Sequence, residues 1–338
     1  MRFREHATVL VTTLFAALVC LPAAAHGAPA DDPTGEPSAL PAGDTVVSLT
    51  FDDGLRSQEV AARMLADKGM RATFYVNSSS IGYPAYLTVE QLSGIAAEGH
   101  EIGGHGLDHE DLTAVPLSEA RHQVCDDRAT LAALGFDPRS FAFPYGAWNA
   151  DVRRVVQECG YSSARISSGL HESAEDCGAC PEAEDPAAMD TWRIRTGDTA
   201  STPELLRRRV VQAEQSGGGW VPLVLHHVCT CPDRGTTAIS PSDFAAFVEW
   251  LATRGPGTRV ATVDEVTGGH LRPVVGTPLQ RLVDPGGGDG RTRAVAFTVA
   301  GLEISQSNVI AAGLVVAGGT LTAYRFGTRS RRYAQRTR

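Results

Sequence analysis

Residues 45–54 read Thr45-Val46-Val47-Ser48-Leu49-Thr50-Phe51-Asp52-Asp53-Gly54, and the fold is decided there. Thr45–Phe51 is rich in β-branched and aromatic residues and reads as a strand. It stops at two adjacent carboxylates. Neighbouring carboxylates at a strand terminus repel each other unless a cation or a shared proton relieves them. Gly54 lets the chain turn so that both reach one place. The plain alternative is an acidic turn closed by Asx-type backbone bonds.

Outward from this stretch, short apolar runs alternate with amphipathic ones. Strands are expected at Ala72–Asn77, Glu101–Gly103, Ser140–Phe143, Tyr161–Arg165, Trp220–Leu225 and Thr258–Ala261. Helices are expected at Gln58–Lys68, Val89–Glu98, Leu117–Leu134, Ala150–Glu158, Pro203–Gln215 and Pro241–Thr253. Strands alternating with helices of this length imply βα units around a parallel sheet. Seven strand-like runs fit a barrel, whose reactive residues lie at the carboxyl ends of its strands.

Three further clusters fall at such ends. His105-Gly106-Leu107-Asp108-His109 follows the run at 101–103, and histidines four apart can share one metal. Combined with a strand-end Asp they make a three-ligand N/O set, the way a catalytic zinc is held with its fourth position open. Phe141-Ala142-Phe143-Pro144-Tyr145-Gly146 closes another strand, and Leu223-Val224-Leu225-His226-His227 a fourth. Taken singly, these are a turn, a pair of capping histidines and two solvated loop histidines. Together they are four polar clusters on four strands, as a barrel active site requires.

At these residues the sequence resembles the polysaccharide deacetylase family (the NodB homology domain, carbohydrate esterase family 4) over roughly residues 45–268. Thr-Phe-Asp-Asp-Gly and His-x-x-x-His, some fifty residues apart, are its most specific elements, with Pro-Tyr-Gly and a late strand-end histidine in the family's order. The resemblance implies an α/β fold, a distorted (β/α) barrel of about seven parallel strands. It also implies a hydrolase that removes N-acetyl or O-acetyl groups from polysaccharide with a divalent metal, zinc first. Carried over by position, Asp53, His105 and His109 would bind the metal. Asp52 would be the general base, the Tyr145 backbone N–H an oxyanion donor, and His226 the general acid. His227 is the adjacent alternative, since strand alternation lets only one of the two face the site.

The sequence departs from the family pattern in three places. Gly106 stands where the family often has Ser or Thr. Ala142 stands where an Arg commonly pairs with the catalytic Asp; Arg195, and beside it Arg193, are candidates to supply that guanidinium. The family's Asp-x-x-Asp-Trp motif has only Asp190 before Trp192 as a counterpart. The substrate expected is an N-acetylglucosamine polymer, peptidoglycan or a chitin-like glycan. The alternatives are an acetylxylan esterase with the same machinery and a non-catalytic glycan-binding module, which the missing Arg favours. A redox role for Cys177-x-x-Cys180 is disfavoured by its place in an acidic loop.

Composition bounds the rest. The chain has 338 residues, 43% hydrophobic and 20% charged, with a net charge of −9, which excludes a disordered chain and argues against nucleic acid as a partner. Met1–Ala25, with Arg2 and Arg4 before an apolar run and Ala23-Ala24-Ala25 at its end, reads as a signal peptide for export to the cell surface or beyond. Residues 26–44 read as a linker, and 269–303 as a second. Ile304–Tyr324 holds no charged residue and is followed by a basic tail, 325–338, with six arginines. This layout is that of a membrane anchor with a cytoplasmic tail. After export, six cysteines remain; the expected pairing is Cys125–Cys159, with Cys177/Cys180 cross-linked to Cys229/Cys231.

Overall fold

The computed structural model describes residues 41–171, 179–231 and 237–283, and the backbone of a short hairpin at Phe297–Val299 and Leu302–Ile304. The expected signal peptide, most of the first linker, Cys177, the basic tail and all but the first residue of the expected anchor lie outside them. Among the described residues no helix is long and apolar enough to cross a membrane.

Seven parallel strands form the curled wall. They are β1 (Thr45–Phe51), β2 (Thr73–Val76), β3 (Glu101–Gly104), β4 (Ser140–Ala142), β5 (Ser163–Gly169), β6 (Ile194–Thr196) and β7 (Gly219–Leu225), in the order β7-β1-β2-β3-β4-β5-β6. The two outer strands, β6 and β7, are joined by an isolated parallel bridge between Thr199 and Val224, so the barrel is distorted at that seam. Beyond β7 come the two-residue strands β8 (His227–Val228) and β9 (Ala238–Ile239), then β10 (Thr258–Val260), which pairs with the amino-terminal half of β1. Helices α1 (Glu59–Ala66), α2 (Val89–Ala97), α3 (Leu117–Ala133), α4 (Ala150–Glu158), α5 (Pro203–Gln215) and α6 (Pro241–Ala252) make the crossovers. A one-turn helix, α7 (Val263–Thr267), ends in left-handed Gly268. β6 has no counterpart among the expected strands: three residues are too few to show a period.

Each strand has one face under the helices and one inside the barrel, and the period of two sorts its residues. On β1, Val47, Leu49 and Phe51 join the helix-covered core, where the Phe51 and Phe74 rings stack at 4.8 Å. Val46, Ser48, Thr50 and Asp52 therefore face inward. On β4 and β5, Phe141, Ala164 and Ile166 pack under α3 and α4, which turns Ala142 and Arg165 inward. The closed end of the interior is filled by Val46, Tyr75, Ile194 and Trp220, and the Trp220 indole donates to Ser48 Oγ at 2.9 Å. The other end stays polar.

Two features outside the barrel differ from expectation. Residues 269–283, expected as linker, run along α3. Buried Arg128 donates to the carbonyls of Arg272 and Pro273, the Thr277 N–H donates to Asp126, and the Leu279 N–H to Thr130 Oγ1. The antiparallel strand pair Phe297–Val299 and Leu302–Ile304 also falls largely where a linker is expected. Of the expected disulfides, Cys125–Cys159 is formed and ties α3 to the end of α4. The cross-link expected between 177/180 and 229/231 is corrected: Cys229 and Cys231 bond to each other, and Cys180 is disulfide-bonded as well. Two residues apart on one turn, Cys229 and Cys231 meet without help from another loop.

Replacing Cys125 and Cys159 together by Ala should lower the unfolding free energy by about 3–4 kcal/mol, the entropy of a loop of 34 residues. Denaturant unfolding of the oxidised parent and the double variant measures it; equal midpoints would show that the bond stabilises nothing.

Candidate metal centre and catalytic cleft

At the carboxyl end of β1 the chain makes two successive left-handed turns, at Asp53 (φ 74°) and Gly54 (φ 66°). A side chain at Gly54 would be strained by its φ and would press on Val76 Cγ1 at 3.0 Å, so glycine suits the turn. The turn sends the Asp53 carboxylate towards the loop after β3. Asp53 Oδ1 lies 3.6 Å from His105 Nε2 and 3.5 Å from His109 Nε2, and one ligand atom from each of the three residues falls within 4.8 Å of the others. His105 Nδ1 is 2.7 Å from the Ala142 carbonyl, which can only accept, so Nδ1 carries the hydrogen and Nε2 presents a lone pair. That Nε2 is buried and has no hydrogen-bond partner among the described residues. A carboxylate and a bare ring nitrogen, both acceptors, converge here, and this donor set fits a divalent cation.

Asp52 faces the interior beside this cluster. One of its oxygens, Oδ1, is bound by the Arg165 guanidinium; the other, Oδ2, lies 4.0 Å from both His105 Nε2 and His226 Nε2. Burial would raise the Asp52 carboxyl, but the charge of Arg165, then His105 and His226, outweigh it and bring the group to about 2. Burial lowers His105 to about 4, against the opposing pull of Asp52 and Asp53. Arg165 is 1% exposed and its guanidinium lies 4.9 Å over the Tyr75 ring. His226 Nδ1 is 3.3 Å from Thr199 Oγ1. His227 faces the other way, with Nδ1 3.5 Å from Ser57 Oγ, so strand alternation selects His226 for the cleft.

Residues 39–164 match the family described as polysaccharide deacetylase. Over those residues, just over a third of the chain, the sequence is similar to the polysaccharide deacetylase family. It is 27% identical over 211 residues to the chitooligosaccharide deacetylase of Azorhizobium caulinodans, covering 54% of this chain and 95% of that protein. To the peptidoglycan-N-acetylglucosamine deacetylase PgdA of Listeria monocytogenes it is 32% identical over 117 residues, 34% of this chain and 24% of PgdA. The chain thus spans less than half the length of several curated relatives that it matches. A family 4 carbohydrate esterase from Streptomyces lividans, solved in complex with acetate, aligns with a TM-score of 0.45 at 19% identity, over 70% of this chain and 100% of that one.

The guanidinium expected beside Asp52 and missing at Ala142 comes from Arg165. In the parallel ladder of β4 and β5, Ala142 stands directly opposite Arg165, so the two side chains enter the barrel at one height from adjacent strands. The expectation for Arg195 is therefore corrected. Ile194 packs in the interior, which puts Arg195 on the other face of β6, where its fork grips the buried Glu184 carboxylate at 3.0 and 2.5 Å. Arg193 lies over the Trp148 ring, 5.4 Å from its centroid.

Tyr145 sits at the rim. Its turn is left-handed (φ 58°), its ring is 68% exposed, and that ring meets the His109 ring edge-on at 4.4 Å. Gly146 next to it is pressed against Ser167, whose Oγ would lie 2.2 Å from any Cβ there. Sequence reasoning passed over Gln58 as well as Arg165. The Gln58 amide is buried and spends both N–H groups on backbone carbonyls, 2.5 Å from Asp52 O and 3.0 Å from His226 O. It thereby ties together the two strand ends that carry Asp52 and His226. No period or charge marks such a residue, whereas Arg165 ends an expected strand and falls under the strand-end rule.

Metal-free protein should lose stability as the pH falls from about 6.5 to about 4, between the ordinary and folded values of His105. There the unfolded chain takes up a proton that the buried ring refuses, so stability is greatest above that window. The loss is on the order of 3 kcal/mol. A smaller loss follows between about 3.8 and about 2, as Asp52 and its unfolded counterpart protonate in turn. Denaturant unfolding of the parent and His105→Asn at pH 7 and pH 5 isolates the first window; identical slopes in the two proteins would refute it.

Proposed function

We propose that this protein is a metal-dependent deacetylase of N-acetylglucosamine-containing polysaccharide, of the peptidoglycan or chitin-like kind, with zinc as its metal. The observation that carries this reading is the placement of one free oxygen of Asp52 between the acceptor-only cluster of Asp53, His105 and His109 and the imidazole of His226. The activities for which the Listeria and Azorhizobium relatives are named support the substrate class.

A cation at Asp53, His105 and His109 supplies Lewis-acid activation of water and of the acetyl carbonyl. The protein's own residues handle the protons. Asp52, held anionic and aimed by Arg165, takes a proton from the attacking water through Oδ2. Water oxygen bonds to the acetyl carbon, and the developing oxyanion receives the Tyr145 backbone N–H. As the C–N bond breaks, His226 Nε2 delivers a proton to the departing amine, leaving acetate and a free amino sugar. The Arg165 partner favours the enzyme reading over a non-catalytic glycan-binding module, because the carboxylate that the Ala142 departure left unpartnered is held after all.

Acetate release from chito-oligosaccharides and from isolated peptidoglycan, with a chelator and then with added zinc, tests the reaction. Zinc-restored release is expected. Asp52→Asn should lower the rate by at least about 10²-fold with zinc still bound at one per chain. Bound zinc without release from either polymer would overturn the reading, and release from acetylated xylan alone would replace it.

A further inference from the structure

Three consecutive backbone N–H groups lie between the two histidines of the metal cluster, and α3 takes all three. The Gly106 N–H donates to Asp127 Oδ2 at 3.2 Å, the Leu107 N–H to the Gln123 carbonyl at 3.1 Å, and the Asp108 N–H to Gln123 Oε1 at 2.9 Å. Gln123 and Asp127 are four residues apart and so share one face of the helix. Both are buried, at 2% and 0% exposure. We infer that this pair is the positioning device of the metal site: by fixing the backbone between His105 and His109 it sets how tightly the cation is held. The inference rests on the metal reading of Asp53, His105 and His109.

Asp127 is more than a cap on one loop. Its Oδ1 accepts the Ser78 N–H at 3.1 Å and its Oδ2 also accepts the Tyr161 hydroxyl at 3.3 Å, so the carboxylate is gripped from the β2 end and the β5 entrance as well. The packing is close. A side chain at Gly104, the residue before His105, would lie 1.8 Å from the Tyr161 oxygen and 2.7 Å from Asp127 Oδ2. Gln123 adds a bond from Nε2 to Asp108 Oδ2 at 3.2 Å. From the other side, Asn77 Nδ2 donates to the His105 carbonyl at 2.6 Å. The loop needs such restraint, since Gly106 (φ 79°) and His109 (φ 59°) are both left-handed and a free loop would relax His109 out of that region. With a hydroxyl-free residue at 106, the loop's first turn is braced from outside, by α3 on one side and by Asn77 and Ser79 on the other.

The reading predicts effects on metal affinity that loss of stability alone does not produce. In Asp127→Asn the new NH2 group faces either the Ser78 or the Gly106 N–H, donor against donor; Gln123→Met keeps the length and loses both side-chain bonds to Asp108. Leu251→Ala, in α6 against α1 and α5, is the control, which lowers the unfolding temperature by opening a core cavity without touching the loop. Zinc dissociation constants of the full-length proteins are measured by competition with a chromophoric chelator, alongside thermal unfolding without metal. Asp127→Asn and Gln123→Met should each weaken zinc about 10–100-fold, with Leu251→Ala at the parent value. Zinc held by both α3 variants within twofold of the parent would overturn the inference, and so would an equal loss in the control. Should Asp127→Asn not fold, Gln123→Met decides alone. A parent that takes up no zinc overturns the metal reading itself, a different result from a parent that binds and variants that match it.

Discussion

The open end of this barrel depends on the ion pair between Asp52 and Arg165. Both side chains are almost wholly out of water, where an unpaired charge of either sign costs several kcal/mol. Arg165 does more than neutralise. It occupies one oxygen of the carboxylate and leaves the other facing His105 and His226 in the cleft, so the two oxygens of one group have different surroundings. The Tyr75 ring beneath the guanidinium supports it from inside the barrel. With Asp52 compensated from within, the second carboxylate of the pair, Asp53, is left to point outward at His105 and His109. The adjacent acids of one short turn are thus divided: Arg165 relieves Asp52, while Asp53 faces an acceptor cluster whose charge a cation would relieve.

Much of this was legible in the sequence because barrels place their reactive groups at strand ends. The β-branched run at 45–51, the two-histidine loop after β3, and the apolar strand that stops at His226 all sit where a linear reading places them. Alternation also separates His226 from His227. The reading failed where the relevant relation was lateral. That Ala142 and Arg165 face each other is a fact of register between β4 and β5, and twenty-three positions of chain separate them. Arg195 is a candidate for the missing guanidinium by type alone, yet the face of β6 on which it falls depends on Ile194 being inside, and a strand of three residues hides its own parity. Gln58 and the α3 pair Gln123 and Asp127 are harder still. Each is a polar residue on an element expected to be amphipathic, and nothing in spacing separates a buried amide from a solvated one.

The disulfides divide along the same line. Cys125 and Cys159 belong to two helices that the alternating pattern already places side by side, so their pairing follows from topology. Cys229 and Cys231 are close in the chain and bond locally, which no argument about distant loops would find. The stretch 269–283 looks like a spacer because it is rich in Gly and Pro and carries no period. It is ordered by Arg128, whose guanidinium reaches carbonyls on the strap, and the composition of a strap does not announce the donor that will hold it.

The facing of Ala142 and Arg165 bears on how such a site can be assembled. What the barrel maintains is a positive charge at one point in space, and two neighbouring strands can deliver it. A lineage could move the guanidinium across that rung by way of an ancestor carrying arginine at both positions, with the acid never left alone. Chains that look defective by their linear motif would then be intact in three dimensions, and the informative feature in their descent would be the joint occupancy of two facing sites.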